Sequence, residues 1–323
     1  MTGREAVTRA IEFSTPDRLP VDGADTRTVR WNQVIPLVYP DIHEMIYDEW
    51  GCGWSRTEKK NMGQVKDHPL EEWSSLKHFK WPDPDNSALY EGMEQKLENP
   101  EGKYIKTAIF LLLSERLSAL RGFQNALTDL YLEREKIAAL ADRVLEFDIA
   151  IIRNIASRFP GRIDGFQFSD DWGTQQDLII DPALWREFYM PRYRKLFRVC
   201  KEAGWHVWMH SCGKINKILQ NLIDIGLDVI NPMQPRVLGI EETGRDFAGK
   251  ICFCSLCDIQ KTLPGGSEEE MDREAGLLIK HWGTDRGGFI LGGYGDEEAI
   301  GMPIQNRAMM REAFLRYDRW RKN

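Results

Sequence analysis

The residues best suited to chemistry in this chain fall in short runs. "HSCG" places His210 and Cys212 two positions apart, at the end of the apolar run "WHVWM". On a strand that spacing sets both side chains on one face, because side chains alternate. A nitrogen donor beside a sulfur donor suits zinc, and a catalytic zinc takes a third protein ligand while keeping one position open. "ICFCSLC" supplies Cys252, Cys254 and Cys257. Cys252 and Cys254 share a face and Cys254 is nearer the strand end, so Cys254 is the expected third ligand. Cys257 or a carboxylate from Asp296 to Glu298 are the alternates. A metal-bound thiol loses its proton and becomes a strong nucleophile.

"SDDWGTQ" carries two adjacent acids, Asp170 and Asp171, at the end of another strand. Both cannot face the same way. One is expected to point inward as a base or acceptor and the other to cap the following turn; the sequence leaves open which. Trp172, Gln175, Asn231 and Asp258 also follow strands and are expected to line a substrate site. Tyr294, in "GGYGDEE", is expected to hydrogen-bond at its edge. His206 and Trp208 lie deeper on the face of His210 and read as packing, as do Cys200 and Cys252.

Strands and helices alternate from residue 104 onward, which is α/β spacing. "YIKTAIFLL", "IDGFQFS", "WHVWMH", "LDVIN", "KICFCS" and "GGFILGG" are strand candidates, with a shorter one at Leu19 to Asp22. In "DPALWREFYMPRYRKLFRVCKEAG", Asp181 is the expected N-cap, Pro182 fits the first turn, Pro191 should divide the helix and Gly204 should stop it. "GCGWSRTEKKNMGQVKDHPL" reads as a hairpin within an irregular N-terminal insertion. About seven strands are clear, and an eighth is expected between residues 30 and 70. The architecture this favours is a (β/α)8 TIM barrel, one domain over 1–323, whose active site lies at the C-terminal ends of its strands. No G-x-G-x-x-G or Walker A pattern follows a strand, so a nucleotide fold has no support.

Bulk properties narrow the function further. Charged residues make up 29% and hydrophobic residues 42%, an ordinary soluble-enzyme balance. A net charge of −7 argues against a nucleic-acid surface. No apolar run is long enough for a membrane span, and the charged first residues are not those of a signal peptide. Six cysteines in a chain of this size suggest a reducing, cytoplasmic setting and not a disulfide scaffold.

Together, "REAVTRAIEFSTPDRLPV", "DDWGTQQDLIIDPALWREFYMPRYRKLF", "HSCGKI", "DIGLDVINPMQ", "FCSLCDIQKTL" and "GGFILGGYGDEEAIGMPIQNRAMM" resemble the uroporphyrinogen decarboxylase superfamily. The resemblance covers nearly the whole chain and implies a (β/α)8 barrel. One branch decarboxylates uroporphyrinogen without a cofactor and carries an Arg-Gln-Ala-Gly-Arg motif after its first strand. Here that place reads "LPVDGADTRTVRW", with only Arg27 and Arg30 nearby. A substrate with eight carboxylates needs such guanidiniums.

The other branch holds cobalamin-dependent methyltransferases, which bind zinc through His-x-Cys and a later Cys. His210 and Cys212 match the pair. The later Cys falls in "ILGGYGD", where this chain has Tyr294, so Cys254 or a carboxylate is expected to substitute. The resemblance implies a zinc enzyme moving a methyl group between a methylcorrinoid (methylcobalamin type), held by a separate small protein, and a thiol or tetrahydrofolate acceptor. A homodimer is an accompanying expectation, through the tryptophan-rich stretch 31–81. The alternatives are a decarboxylase (lyase) of porphyrin biosynthesis, using Arg27, Arg30 and Arg116, and a non-catalytic corrinoid- or tetrapyrrole-binding subunit.

Overall fold

The first helix, Gly3–Ile11, buries Ala6, Val7, Ala10 and Ile11 along one side. Its start is fixed by a capping box, in which Thr2 and Glu5 satisfy each other's backbone N–H groups. The buried side closes the floor of a barrel, where Val7, Ala10 and Ile11 pack with Tyr104, Trp208, Val229, Cys252, Cys254 and Ile290. Burying each of the larger apolar side chains contributes about 1.5–3 kcal/mol. The structure, a computed structural model, describes residues 1–33, 45–55, 63–295 and 297–321.

The barrel strands are β1 (Thr26–Thr28), β5 (Tyr104–Ile109), β6 (Gly165–Ser169), β7 (His206–His210), β8 (Val229–Asn231), β9 (Cys252–Ser255) and β10 (Phe289–Leu291). They pair in parallel in that order. The eighth stave differs from the sequence expectation. The short strand expected at Leu19–Asp22 is present at Pro20–Asp22, where Val21 bridges to Leu291, and the one not foreseen is β1, which lies at Thr26–Thr28 and not between residues 30 and 70. Leu291 donates to the Pro20 carbonyl and the Asp22 N–H returns to the Leu291 carbonyl, each at 2.8 Å. The chain then turns straight into β1. Between Asp22 and β5, Lys106 crosses the lumen with its Nζ 2.9 Å from the Asp22 carboxylate.

Alternation along β7 sorts its residues. Val207 and Met209 belong to the core under the helices, while Trp208 joins the floor cluster. His206 Nδ1 and the Trp208 indole both meet the Tyr104 hydroxyl, at 3.0 and 3.2 Å. These residues are packing, as their depth on the strand suggests. The helix after β6 starts where expected, with Asp181 accepting from Ala183 and Leu184 and with Pro182 in the first turn. It divides before Pro191 into Pro182–Phe188 and Met190–Glu202, and Gly204 follows its end at φ 78°.

The expected hairpin forms a separate antiparallel sheet of β2 (Ile46–Tyr47), β3 (Gly53–Ser55) and β4 (Gln64–Asp67). Its anchor is a buried ion pair, Arg116 Nη1 to Asp48 Oδ2 at 2.6 Å. Asp48 also takes the N–H groups of Trp50 and Cys52 and the Trp54 indole, at 2.9–3.2 Å. With this many bonds the buried pair is satisfied, as such a pair must be. No helix among the described residues is long and apolar enough to cross a membrane.

Candidate metal centre

With the floor plugged by the first helix, the C-terminal ends of the strands are the open side of the barrel. There the turn after β6 and the turn after β7 run side by side. The Asp170 N–H meets the His210 carbonyl at 3.2 Å, and the Gly173 N–H meets the Cys212 carbonyl at 3.1 Å. The Trp172 N–H goes to the Ser211 hydroxyl at 3.0 Å. Glycine is required for this approach. A Cβ on Gly213 would lie 2.1 Å from Gly173 backbone, and one on Gly173 would lie 2.3 Å from the Lys214 nitrogen. Gly213 also sits at φ 76°, in the left-handed region.

The contact brings Asp171 to the His-x-Cys pair. Ligand atoms of Asp171, His210 and Cys212 all lie within 4.8 Å of one another, the one such group of three among the described residues. His210 Nε2 is 3.4 Å from Cys212 Sγ and 3.6 Å from Asp171 Oδ1. A tetrahedral zinc with ordinary bond lengths needs about 3.5 Å between N and S ligands and about 3.3 Å between N and O ligands, so the set fits. His210 Nδ1 lies 2.9 Å from the Asn231 carbonyl, which fixes that nitrogen as the protonated one and leaves Nε2 for a metal. Asp171 Oδ1 accepts the Cys212 N–H at 2.7 Å, tying two donors together. Burial, and then the adjacent Asp171 carboxylate, push the Cys212 thiol well above its ordinary range. A cation in the cluster offsets both effects.

The two aspartates separate cleanly. Asp170 is fully buried and accepts the N–H groups of Ser114 and Glu115, each at 2.9 Å. These open the helix Leu113–Arg121, whose own N-cap, Leu112, has no capping side chain. Tyr193 donates a third bond to Asp170. Burial raises the Asp170 pKa to about 7 against the pull of these hydrogen bonds. Asp170 is therefore a cap supplied from a neighbouring strand, and Asp171 is the acid that faces the mouth.

Other expected site residues fall elsewhere. Cys254 is 1% exposed within the floor cluster and does not join His210 and Cys212, contrary to expectation; the third donor beside them is Asp171. The stagger of barrel strands lowers Cys254 toward the floor although its register follows that of His210. Cys257 is buried with its thiol toward the Met271 carbonyl, and Glu297 pairs with Arg307. Asp296 lies outside the described residues. Trp172 is buried among Trp185, Tyr189 and Tyr193 and donates to the Tyr193 hydroxyl, so it offers no face to a ligand. Asp258 is likewise a buried turn cap, accepting from Gln260 and Lys261. Asn231 is a positioning residue for His210, and its amide donates to the Cys254 carbonyl at 2.6 Å. Gln175 is exposed on the loop after β6, and Tyr294 is half-buried against the core after β10.

Of the arginines, Arg116 is consumed by the hairpin anchor. Arg27 points away to the Glu98 and Asn99 carbonyls and to Glu101. Arg30 is half-buried just past β1. Glu115 is a site residue that reading strand ends does not pick out. It looks like an ordinary first-turn helix acid, yet it lines a cavity with Asp171. Its position just after a barrel strand was the available signal.

The fold resembles that of a methyltransferase from Methanosarcina mazei, with a TM-score of 0.62 at 14% identity, over 97% of this chain and 83% of that one. Weaker likenesses are to xylanase 10B from Thermotoga petrophila (TM-score 0.40, 13% identity, 76% of this chain, 83% of that one) and to a D-psicose 3-epimerase (0.37, 11%, 67% and 76%). Neither bears on function. No curated protein sequence matches. Residues 107–317, well over half the chain and including β6, β7 and the donor cluster, match the family model for uroporphyrinogen decarboxylase (URO-D). The chain is a member of the uroporphyrinogen decarboxylase family.

Proposed function

We propose that the protein is a metal-dependent methyltransferase of this family, moving a methyl group between a corrinoid on a separate protein and a small acceptor, a thiol or tetrahydrofolate. The observation that carries this reading is the Asp171–His210–Cys212 donor set at the open end of the barrel. A bound zinc would supply Lewis acidity and would lower the pKa of an acceptor thiol. The chain's own residues do the positioning. Asn231 holds the His210 ring in one tautomer, and the Gly173–Gly213 contact keeps Asp171 beside Cys212. Tyr294 remains the candidate hydrogen-bonding group at the rim, and a cytoplasmic homodimer is part of the same proposal.

Decarboxylation of a polycarboxylate is the second reading, and Arg30 favours it, a half-buried guanidinium held below its ordinary range by burial. Against it, Arg27 and Arg116 are engaged elsewhere, and the mouth gathers Glu115 and Asp171. One guanidinium does not answer eight carboxylates. The test is transfer from methylcobalamin to a thiol, followed spectroscopically, alongside uroporphyrinogen decarboxylation. The expected result is transfer that His210→Ala abolishes and no decarboxylation. Transfer untouched by His210→Ala, or decarboxylation by the metal-free protein, would overturn it.

A further inference from the structure

Beside the donor cluster, between the hairpin sheet and the helix Leu113–Arg121, lies a cavity of about 370 Å³. That volume is within the range of small-molecule sites. Asp171 belongs both to its wall and to the donor cluster, so a ligand there sits next to any metal held by His210 and Cys212. Leu111, at φ 57°, turns the chain along the same wall. A bulky residue in the left-handed region is strained, and such strain concentrates at functional sites.

The lining has one chemical character. Trp54, Val65, Leu111, Phe123 and Ile179 give apolar and aromatic surface, and Phe123 is 57% exposed. The polar groups that accept are the carboxyls of Glu115 and Asp171 and one nitrogen of His68. His68 Nδ1 lies 2.8 Å from the Ala119 carbonyl, which can only accept, so Nε2 of the neutral ring is left as an acceptor. Ser114 and Ser118 add hydroxyls, and among the described residues no lysine or arginine lines the cavity. Glu115 Oε2 is buried with no hydrogen-bond partner. Burial first, and then the charges of Asp171 and Asp170, hold this carboxyl well above its ordinary range. The adjacent cation, Arg116, is paired at 2.6 Å to Asp48.

An anion in this cavity meets the Asp171 carboxylate and finds no lysine or arginine among the described lining residues. A neutral apolar ligand leaves the buried Glu115 oxygen unanswered, which costs free energy. An organic cation answers the carboxyls and lays its alkyl groups on aromatic faces, the geometry by which aromatic sites hold quaternary ammonium groups. We propose that the cavity lined by Trp54, His68, Glu115, Phe123 and Asp171 binds an alkylated amine, protonated or quaternary, as the small-molecule substrate or acceptor beside the metal. The assignment of the occupant as a reactant rests on the methyltransferase reading; the binding of an organic cation does not.

The test is isothermal titration calorimetry with choline and tetramethylammonium, against 3,3-dimethylbutan-1-ol, the neutral carbon isostere of choline. Proteins compared are the wild type, Glu115→Gln, Phe123→Ala and His210→Ala. Choline should bind at least about tenfold more tightly than the isostere. Glu115→Gln should weaken choline about tenfold while leaving the isostere unchanged, and Phe123→Ala should weaken it about fivefold. His210→Ala should keep the cation, because His210 is not in the cavity wall. Cation binding by a wild type that holds no metal and transfers no methyl group would sink the methyltransferase reading and leave the site standing. Equal affinity for choline and the isostere, no binding of either cation at millimolar concentration, or indifference to Glu115→Gln would overturn the site itself.

Discussion

Replacing Asp170 should unfasten the site from within, while replacing its neighbour should not. In Asp170→Ala, the N–H groups of Ser114 and Glu115 and the Tyr193 hydroxyl lose their acceptor in a fully buried place. Each orphaned group costs about 1–3 kcal/mol, so the gross loss for the three is roughly 3–9 kcal/mol. Part is offset because burial already works against the charged carboxyl, as its pKa of about 7 shows. A net loss of roughly 2–5 kcal/mol remains, large beside a typical total of about 5–15 kcal/mol. Asp170→Asn keeps one acceptor oxygen and should lose about half as much. Asp171 has a side chain 40% exposed, and it accepts from the Cys212 N–H. Asp171→Ala should therefore cost less than about 1.5 kcal/mol. Equilibrium urea unfolding followed by circular dichroism, with unchanged m-values, measures all three. The reasoning fails if Asp170→Ala lies within about 1 kcal/mol of wild type, or if Asp171→Ala is the more damaging of the pair.

Two further outcomes follow from the same geometry. Gly213→Ala pushes the two turns apart, since its Cβ would lie 2.1 Å from Gly173 backbone; metal affinity measured by competition with a chromophoric chelator should fall at least about tenfold, and unchanged affinity would mean the turns need not touch. Asp148 is buried in the core with Oδ2 lacking a partner, and burial raises its pKa well above the ordinary value. The folded protein then keeps a proton that the unfolded chain sheds above about pH 4, so stability present in full below that pH is lost as pH rises toward the folded value. Asp148→Asn should lose less stability than wild type between about pH 5 and pH 8; parallel losses would refute the assignment.

His210 and Cys212 were legible because period-two alternation and a following glycine are local signals. The barrel was legible for the same reason, since each strand carries its own apolar run. The choice between Asp170 and Asp171 was not. It depends on the helix Leu113–Arg121 arriving without a cap of its own, from residues more than fifty positions away. Cys254 misled because chain spacing gives distance along a strand, whereas depth in a barrel also depends on the stagger between strands. The eighth strand was misplaced because β1, Thr26–Thr28, is a short polar run of threonine and arginine with no apolar pattern to announce it. Glu115 gains its role only when the hairpin sheet folds over it, a contact fixed by the remote Arg116–Asp48 pair.

Metal content of the purified protein tests the central claim most directly, with Asp171→Ala, His210→Ala, Cys212→Ser and Cys254→Ser prepared in parallel without chelators. The donor set predicts about one zinc per chain in the wild type and in Cys254→Ser, and its loss from the other three. A metal-free wild type, or a metal lost with Cys254 and kept without Asp171, would contradict it.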